Sequence, residues 1–168
     1  MPELNEQSFD GLIDGLSVRR EDADDHEFLE RLYASTREQE MSVVDWPQEA
    51  QAIFLRQQFE AQHSHYRQHY PDAKFWIVEV AKRPVGRLYL QLRDDEIRLM
   101  DIALLPDHKG HGIGTTLVSR VVDIAAEKAL AVRLHVEPDN RAVNLYGRLG
   151  FVKLEDRGVY QFMEWRDT

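Results

Sequence analysis

Cysteine is absent from this chain of 168 residues, which excludes disulfide bonds and thiolate-bound zinc. No run approaches the roughly 18 apolar residues that a membrane-spanning helix needs. The N-terminal stretch MPELNEQSFDGL is acidic and lacks the basic region of a signal peptide, so we expect no secretory leader. These absences favour a cytoplasmic protein that does not act in a membrane.

Positive charge is scarce as well. The chain has 21 lysines and arginines against 30 aspartates and glutamates, a formal net charge of −9. Nucleic acids bind to basic surfaces, so this balance argues against a nucleic-acid partner and is compatible with a cationic substrate. The composition is globular and the length suits one domain. We expect residues 1–15 to form a loosely ordered lead-in and residues 16–168 to form that domain.

The hydrophobic pattern predicts an α+β fold with a largely antiparallel sheet. Strands joined by short turns are expected in KFWIVEVAK, PVGRLYLQL and EIRLMDIALLP. Helical spacing of apolar residues predicts helices in DADDHEFLERLYAST, from about Pro47 to Pro71, in IGTTLVSRVVDIAAEKAL and in NRAVNLYGRLG. The predicted order is β-α-α-β-β-β-α-β-α-β-β, with one β-α-β crossover around the stretch DHKGHGIGTT.

The stretch DHKGHGIGTT lies where a strand passes into a helix and contains three alternating glycines, Gly110, Gly112 and Gly114. The first N–H groups of a helix lack internal partners and attract phosphate, and glycines let such a ligand come close. Lys109 adds a positive charge and Thr115 a hydroxyl donor. The stretch therefore indicates either an anion cradle or a turn in which the glycines serve only the backbone geometry.

Two nucleotide-binding motifs fit this stretch poorly. A P-loop needs Gly-Lys-Ser/Thr, which the chain lacks. The dinucleotide motif G-x-G-x-x-G begins at Gly110 and Gly112 but has Thr115 at its third position, although Glu137 lies where a ribose-binding acid would stand. The hairpins predicted before the stretch also disfavour a dinucleotide-binding fold.

A second motif gives the glycine stretch a family context. HKGHGIGTTL followed by NRAVNLYGRLGF resembles the GNAT superfamily of N-acetyltransferases, whose pattern Q/R-x-x-G-x-G/A matches Lys109–Gly114 except that lysine replaces glutamine or arginine. The second motif matches at Asn140, Leu145, Tyr146, Gly150 and Phe151. The resemblance implies a single GNAT-like domain over residues 16–168. Its fold would be a mixed, mostly antiparallel sheet with helices on both faces and a splayed central pair of parallel strands.

The resemblance also implies acetyl-CoA as cofactor and direct attack of an amine on the acetyl carbonyl. Backbone groups of Ile102, Ala103 and Leu104 would bind the pantetheine arm, and the N–H groups of residues 110–115 the pyrophosphate. The implied cofactor-binding residues are Ile102, Ala103, Leu104, Lys109, Gly110, His111, Gly112, Ile113, Gly114, Thr115, Asn140 and Tyr146. Tyr146 would be the general acid at the sulfur, although its apolar helical stripe also fits an ordinary core residue.

The general base is open among three residues. His135 has a suitable ordinary pKa but also fits a buried histidine bonded to the backbone. Asp101 lies in the strand before the glycines, where a neighbour could satisfy it. Glu137 lies at a strand end, where it could be solvated or support the following helix cap. A substrate amine of low pKa would need no base.

The acceptor is expected to be a small-molecule or peptide amine. We expect Trp46, Tyr66 and Tyr70 to line its site, whereas Trp76 fits the core. His65 and His69 have the spacing of zinc ligands beside His63, but the HExxH pattern is missing, so we expect no metal. A homodimer is a candidate assembly for which the sequence identifies no surface. The alternative function is a non-catalytic acyl-CoA-binding module.

Overall fold

Seven strands form one mixed sheet in the computed structural model, which describes residues 3–167. Their order across the sheet is β1-β2-β3-β4-β5-β7-β6. The strands are β1 Leu16–Arg20, β2 Lys74–Val80, β3 Arg83–Leu92, β4 Glu96–Leu104, β5 Ala131–Val136, β6 Val152–Arg157 and β7 Tyr160–Trp165. The pair β4–β5 is parallel and the other described pairs are antiparallel, which confirms the largely antiparallel sheet with one crossover.

The helices follow the predicted order, with one short helix added after the first. They are α1 His26–Thr36, α2 Glu38–Ser42, α3 Gln48–His69, α4 Ile113–Glu127 and α5 Ala142–Arg148. Pro47 caps the start of α3, and the helix ends before Pro71, as their restricted backbones lead one to expect. Among residues 3–167, no helix is long and apolar enough to cross a membrane.

Two apolar clusters place helices on both faces of the sheet, as the family resemblance predicted. The main cluster contains Leu88, Leu99 and Leu134 from the strands and Leu117 from α4, all nearly inaccessible to solvent. A second cluster on the other face packs Phe59 of α3 and residues of α1 against Ile77 of β2 and Ala103 of β4. The sheet is therefore sandwiched between α4 and α5 on one side and α1 and α3 on the other.

The lead-in before β1 is better ordered than the sequence predicted. Leu4 and Phe9 are buried in the main cluster, and Phe9 packs edge-on against Trp76 with ring centroids 5.5 Å apart. A 3-10 turn over Glu6–Phe9 carries this anchor, and Arg120 of α4 donates a hydrogen bond to the carbonyl of Ser8. The expectation of loose order is wrong for this segment. A single 3-10 turn is too short to show the periodic spacing of apolar residues from which a helix is predicted.

The parallel strands β4 and β5 part after a short paired section. Their register runs from Glu96 opposite Ala131 to Leu99 opposite Leu134, whereas β4 continues to Leu104. On its other side, β4 shifts register against β3 around Met100, and such a bulge bends the strand that carries it. The splayed parallel pair implied by the resemblance is therefore present.

Gly86 of β3 allows a close approach to β4, and this contact can be tested with a matched pair of variants. A Cβ at Gly86 would lie 2.3 Å from the carbonyl oxygen of Ala103, whereas a Cβ at Gly147 of α5 would meet nothing within 4 Å. We expect Gly86→Ala to lower the free energy of unfolding by about 1–3 kcal/mol because the strands must move apart. Gly147→Ala should be neutral or stabilise by up to about 1 kcal/mol, since alanine favours helix.

Urea unfolding of the two variants beside the parent protein measures both effects. Unchanged stability of Gly86→Ala would contradict the close approach of β3 and β4.

Candidate active site

The opening between β4 and β5 leaves one edge of β4 without a strand partner. Ile102, Ala103 and Leu104 pair on their other side with β3, opposite Leu88, Arg87 and Gly86 respectively. The side chain of Leu104 is buried in the main cluster. Backbone N–H and C=O groups need partners wherever they are shielded from water. The free edge of β4 is thus suited to bind an extended ligand through main-chain hydrogen bonds, as expected for Ile102–Leu104.

The glycine turn that follows β4 is open to solvent at its glycines. Gly110 and Gly112 have φ angles of 79° and 81°, in the left-handed region that favours glycine. A Cβ added to either would meet no atom within 4 Å. Gly112 is the N-cap of α4 and has no side chain with which to cap it. The first N–H groups of α4 therefore face space that an anion such as pyrophosphate can occupy.

The other predicted cradle residues divide between surface and core. Lys109, His111 and Thr115 are exposed beside the glycines. The side chain of Ile113 is buried in the main cluster, so only its backbone is available to a ligand. Gly114 lies against Leu104 and Leu145, at ordinary contact distance for an added Cβ.

Asn140 is exposed at the junction between β5 and α5. Its Oδ1 accepts a hydrogen bond of 2.9 Å from the backbone N–H of Ala142, so the side chain satisfies an N–H group at the start of α5. This bond uses the amide oxygen and leaves the amide NH₂ group free to donate to a ligand near the glycine turn.

Tyr146 of α5 is 5% exposed and belongs to the main cluster, where its ring centroid lies 5.4 Å from that of Phe151. Its ring is therefore a core group, as the apolar stripe indicated. Burial raises the pKa of its hydroxyl, and the negative charge of Asp101 raises that pKa further. The hydroxyl is thus protonated at neutral pH and able to donate a proton or a hydrogen bond.

Asp101 of β4 is held by a buried arginine. Its Oδ2 accepts a hydrogen bond from Nη2 of Arg87, which also donates to Oε1 of Gln62 on α3 at 2.9 Å. Arg87 is 4% exposed. Burial alone would lower its pKa, but the charge and hydrogen bond of Asp101, together with Tyr89 and Tyr66, raise the pKa above its ordinary value. Sequence reasoning did not single out Arg87, although a charged residue inside the apolar run PVGRLYLQL was a usable signal.

Tyr66 lies on the same face of the sheet as the pair formed by Arg87 and Asp101, which Gln62 of α3 joins. It lies on α3, with its ring centroid 5.9 Å from that of Tyr89 and 6.2 Å from that of Tyr70. Burial raises the pKa of Tyr66, and the charge of Asp101 adds to the effect. One carboxylate therefore influences two tyrosines, Tyr146 on the α5 side of the sheet and Tyr66 on the α3 side.

Two candidate bases lie in other surroundings. His135 alternates with Leu134 and Val136, which enter the main cluster with Tyr146, so its side chain lies on the opposite face of β5. Its Nε2 is 3.0 Å from Nη1 of Arg157. Partial burial lowers the pKa of His135, and the charges of Arg98 and Arg157 lower it further. The structure therefore surrounds His135 with arginines rather than with Asp101 and Tyr146.

Glu137 lies at the end of β5, where its Oε1 is 3.6 Å from Nη1 of Arg37. Arg37 caps the end of α1 and its guanidinium lies over the ring of Tyr33 at 5.4 Å. This ion pair ties α1 to the end of β5, a connection that sequence reasoning did not identify.

The aromatic residues expected around the acceptor do not form one group. Tyr66 and Tyr70 contact each other, but Trp46 precedes α3 and packs against Phe54. At the rise of an α-helix, the first turn of α3 lies about 27 Å from Tyr66. Trp46 is therefore remote from Tyr66 and Tyr70, and its place at the acceptor site stays a prediction from the sequence. Trp76 is 2% exposed and confirms its assignment to the core.

Comparisons with known proteins agree with this geometry. Residues 29–151 match the profile of the Acetyltransferase (GNAT) family. A probable N-acetyltransferase named camello from Xenopus tropicalis is 37% identical over 87 residues, which cover 49% of this chain and 40% of that protein. An uncharacterized N-acetyltransferase from Methanocaldococcus jannaschii is 32% identical over 82 residues, covering 48% and 31%. The matched segment thus spans less than half the length of these two relatives.

Two solved structures share the fold over most of their length. The PaiA N-acetyltransferase of Thermoplasma acidophilum in complex with coenzyme A superposes with a TM-score of 0.69 at 19% identity, covering 90% of this chain and 99% of that one. A spermidine N-acetyltransferase of Vibrio cholerae in complex with CoA and spermine gives 0.61 at 22% identity, covering 90% and 95%. With the family profile matched over most of its length, this chain belongs to the GNAT family of acetyltransferases.

Proposed function

We propose that this protein transfers an acetyl group from acetyl-CoA to a primary amine by direct attack, with both substrates bound together. The observation that carries the proposal is the opening between β4 and β5, which adjoins the uncapped, glycine-lined start of α4. Asp101 and Tyr146 come from two different elements, and the negative charge of Asp101 raises the pKa of Tyr146, which supports assigning both to this opening. The complexes of related structures with coenzyme A, and in one case with spermine, support the same choice of substrates.

The backbone would hold the cofactor. The free edge of β4 at Ile102–Leu104 would pair with its extended arm, and the N–H groups at residues 110–115 would surround its pyrophosphate. Lys109 would add charge at the turn, and the amide NH₂ of Asn140 would donate from the neighbouring junction. When bound, acetyl-CoA supplies a thioester whose carbonyl carbon is open to an amine.

Asp101 is the base that the geometry favours over His135 and Glu137. A lysine-like amine has a pKa of about 10.4, so obtaining its neutral form at pH 7 costs about 4.6 kcal/mol. A nearby carboxylate that takes the proton, directly or through water, offsets part of this cost. Arg87 fixes Asp101 through Oδ2, and within residues 3–167 no hydrogen bond occupies Oδ1. That oxygen is therefore available to the incoming amine.

Tyr146 would protonate the sulfur as the thioester bond breaks. Its raised pKa keeps the hydroxyl protonated at neutral pH, and its packed ring fixes the direction in which the hydroxyl points. The net charge of −9 and the carboxylate at the opening favour a small cationic amine as acceptor. A cytoplasmic location and a homodimer stay predictions from the sequence.

The glycine cradle can be tested by adding a single methyl group. Gly112→Ala would place a Cβ in the space assigned to the pyrophosphate, so we expect coenzyme A affinity to fall by about tenfold or more. Gly158→Ala is the matched control, because Gly158 has a similar φ of 67° and equally open surroundings in the β6–β7 turn. Both variants should lose about 1 kcal/mol of stability from the left-handed backbone. Calorimetric titration with coenzyme A measures the affinities, and equal affinities in the two variants would refute the cradle.

Removing the Tyr146 hydroxyl tests the general acid. We expect Tyr146→Phe to lower kcat by about 100-fold or more, with little change in KM for acetyl-CoA, because the ring and its packing remain. Tyr33→Phe, at a buried tyrosine of α1, controls for the loss of a buried hydroxyl. Thiol release with polyamines, amino acids and peptides as acceptors gives the rates. Unchanged turnover in Tyr146→Phe would exclude the acid role, and coenzyme A binding without thiol release on any amine would indicate a non-catalytic module.

The base can be identified from a pH profile. We expect Asp101→Asn to lower kcat/KM at pH 7 by about 100-fold, and the loss to shrink as the pH approaches the pKa of the amine. His135→Gln should retain most of the activity at every pH, since its surroundings are separate. A structural defect in Asp101→Asn would instead reduce the rate equally at all pH values. That result, or a large loss in His135→Gln, would contradict the assignment of Asp101.

A further inference from the structure

A mixed cluster of imidazole and carboxylate groups lies between α1 and α3. His26 and Glu30 are one turn apart on α1, and Glu60 lies on the facing side of α3. One potential ligand atom from each of these three residues lies within 4.8 Å of the other two. We call these three residues the α1–α3 cluster.

The contacts of the α1–α3 cluster leave it both organised and accessible. Nε2 of His26 is 2.6 Å from Oε1 of Glu60, with side chains 41% and 47% exposed. Glu30 accepts a hydrogen bond of 2.9 Å from Nε of Arg56. Phe59 forms an apolar wall, its ring centroid 5.2 Å from that of His26. With Arg56 counted beside the two carboxylates, the net charge at the cluster is negative when the imidazole is neutral.

We propose that the α1–α3 cluster binds a divalent transition-metal ion of the zinc type, which bridges α1 and α3. One imidazole nitrogen with carboxylate oxygens is a donor set that suits zinc, whereas calcium and magnesium prefer oxygen alone. Ligand atoms lie about 2.0–2.2 Å from a tetrahedral zinc ion, so they are about 3.3–3.6 Å from one another. Small side-chain rotations bring the three residues to such distances, and the ion replaces the His26–Glu60 hydrogen bond.

The sequence predicts no metal site here, and the reason is physical. Metal-ligand spacing is visible in sequence along one helix, at His63, His65 and His69, whereas His26 and Glu60 are 34 positions apart and meet only in the folded protein. In the structure His65 and His69 are exposed, with ring centroids 4.5 Å apart, and could hold an ion by themselves. They therefore provide the competing site that an experiment has to separate.

Metal titration of the full chain tests the proposal without reference to its activity. Protein freed of metal with a chelator is titrated calorimetrically with Zn²⁺, and Co²⁺ is added in parallel to follow its visible absorption. We expect one saturable equivalent, Co²⁺ bands in the visible range, and a raised melting temperature with zinc. His26→Ala and the nearly isosteric Glu60→Gln should each weaken zinc binding by about 100-fold or more, since even indirect partners of a ligand are worth 10–100-fold.

His65→Ala is the matched control on α3, and it should keep the affinity and the Co²⁺ spectrum of the parent protein. Melting temperatures measured without metal establish that each variant folds. Loss of zinc binding in His65→Ala with retention in His26→Ala would overturn the proposal in favour of the exposed histidine pair. Absence of saturable binding to the parent protein would also overturn it.

Discussion

The parting of β4 from β5 is the constraint on which the candidate site depends. A continuous sheet separates the helices on its two faces, so a group on α5 and a group on α3 could not act on one substrate through it. Here the paired section ends at Leu99 and Leu134, and the bulge near Met100 turns β4 away. The gap leaves backbone groups that need partners. The charge of Asp101, on the strand that lines the gap, raises the pKa of a tyrosine on each face of the sheet.

A buried ion pair maintains this arrangement on the α3 side. Arg87 lies in β3 and is buried, and an unpaired guanidinium there would destabilise the fold. Its bonds to Asp101 and Gln62 offset part of the cost of burying it and connect β3, β4 and α3. A hydrophobic residue would pack there as well, but it could not fix the position of the carboxylate. The buried charge of Arg87 thus costs stability but fixes the position of the Asp101 carboxylate in the candidate site.

Local patterns predicted the elements and the cradle but not the contacts between distant segments. Alternation and helical spacing identified the strands, the helices and the crossover because those signals lie within a few residues of one another. Gly110 and Gly112, which have left-handed backbone in the structure, were likewise identifiable from their residue type alone. In contrast, the burial of Phe9, the remoteness of Trp46 and the meeting of His26 with Glu60 depend on tertiary packing. No spacing rule in a single sequence encodes such contacts.

The electrostatics of the opening suggest how the two proton transfers of the proposed reaction cooperate. Burial keeps the pKa of Tyr146 high, and the negative charge of Asp101 raises it further. When Asp101 takes the proton of the amine, that charge disappears and its contribution to the pKa of Tyr146 disappears with it. Tyr146 therefore becomes a stronger acid at the stage when the sulfur needs a proton. A base and an acid coupled through one carboxylate would act in the order that the chemistry requires.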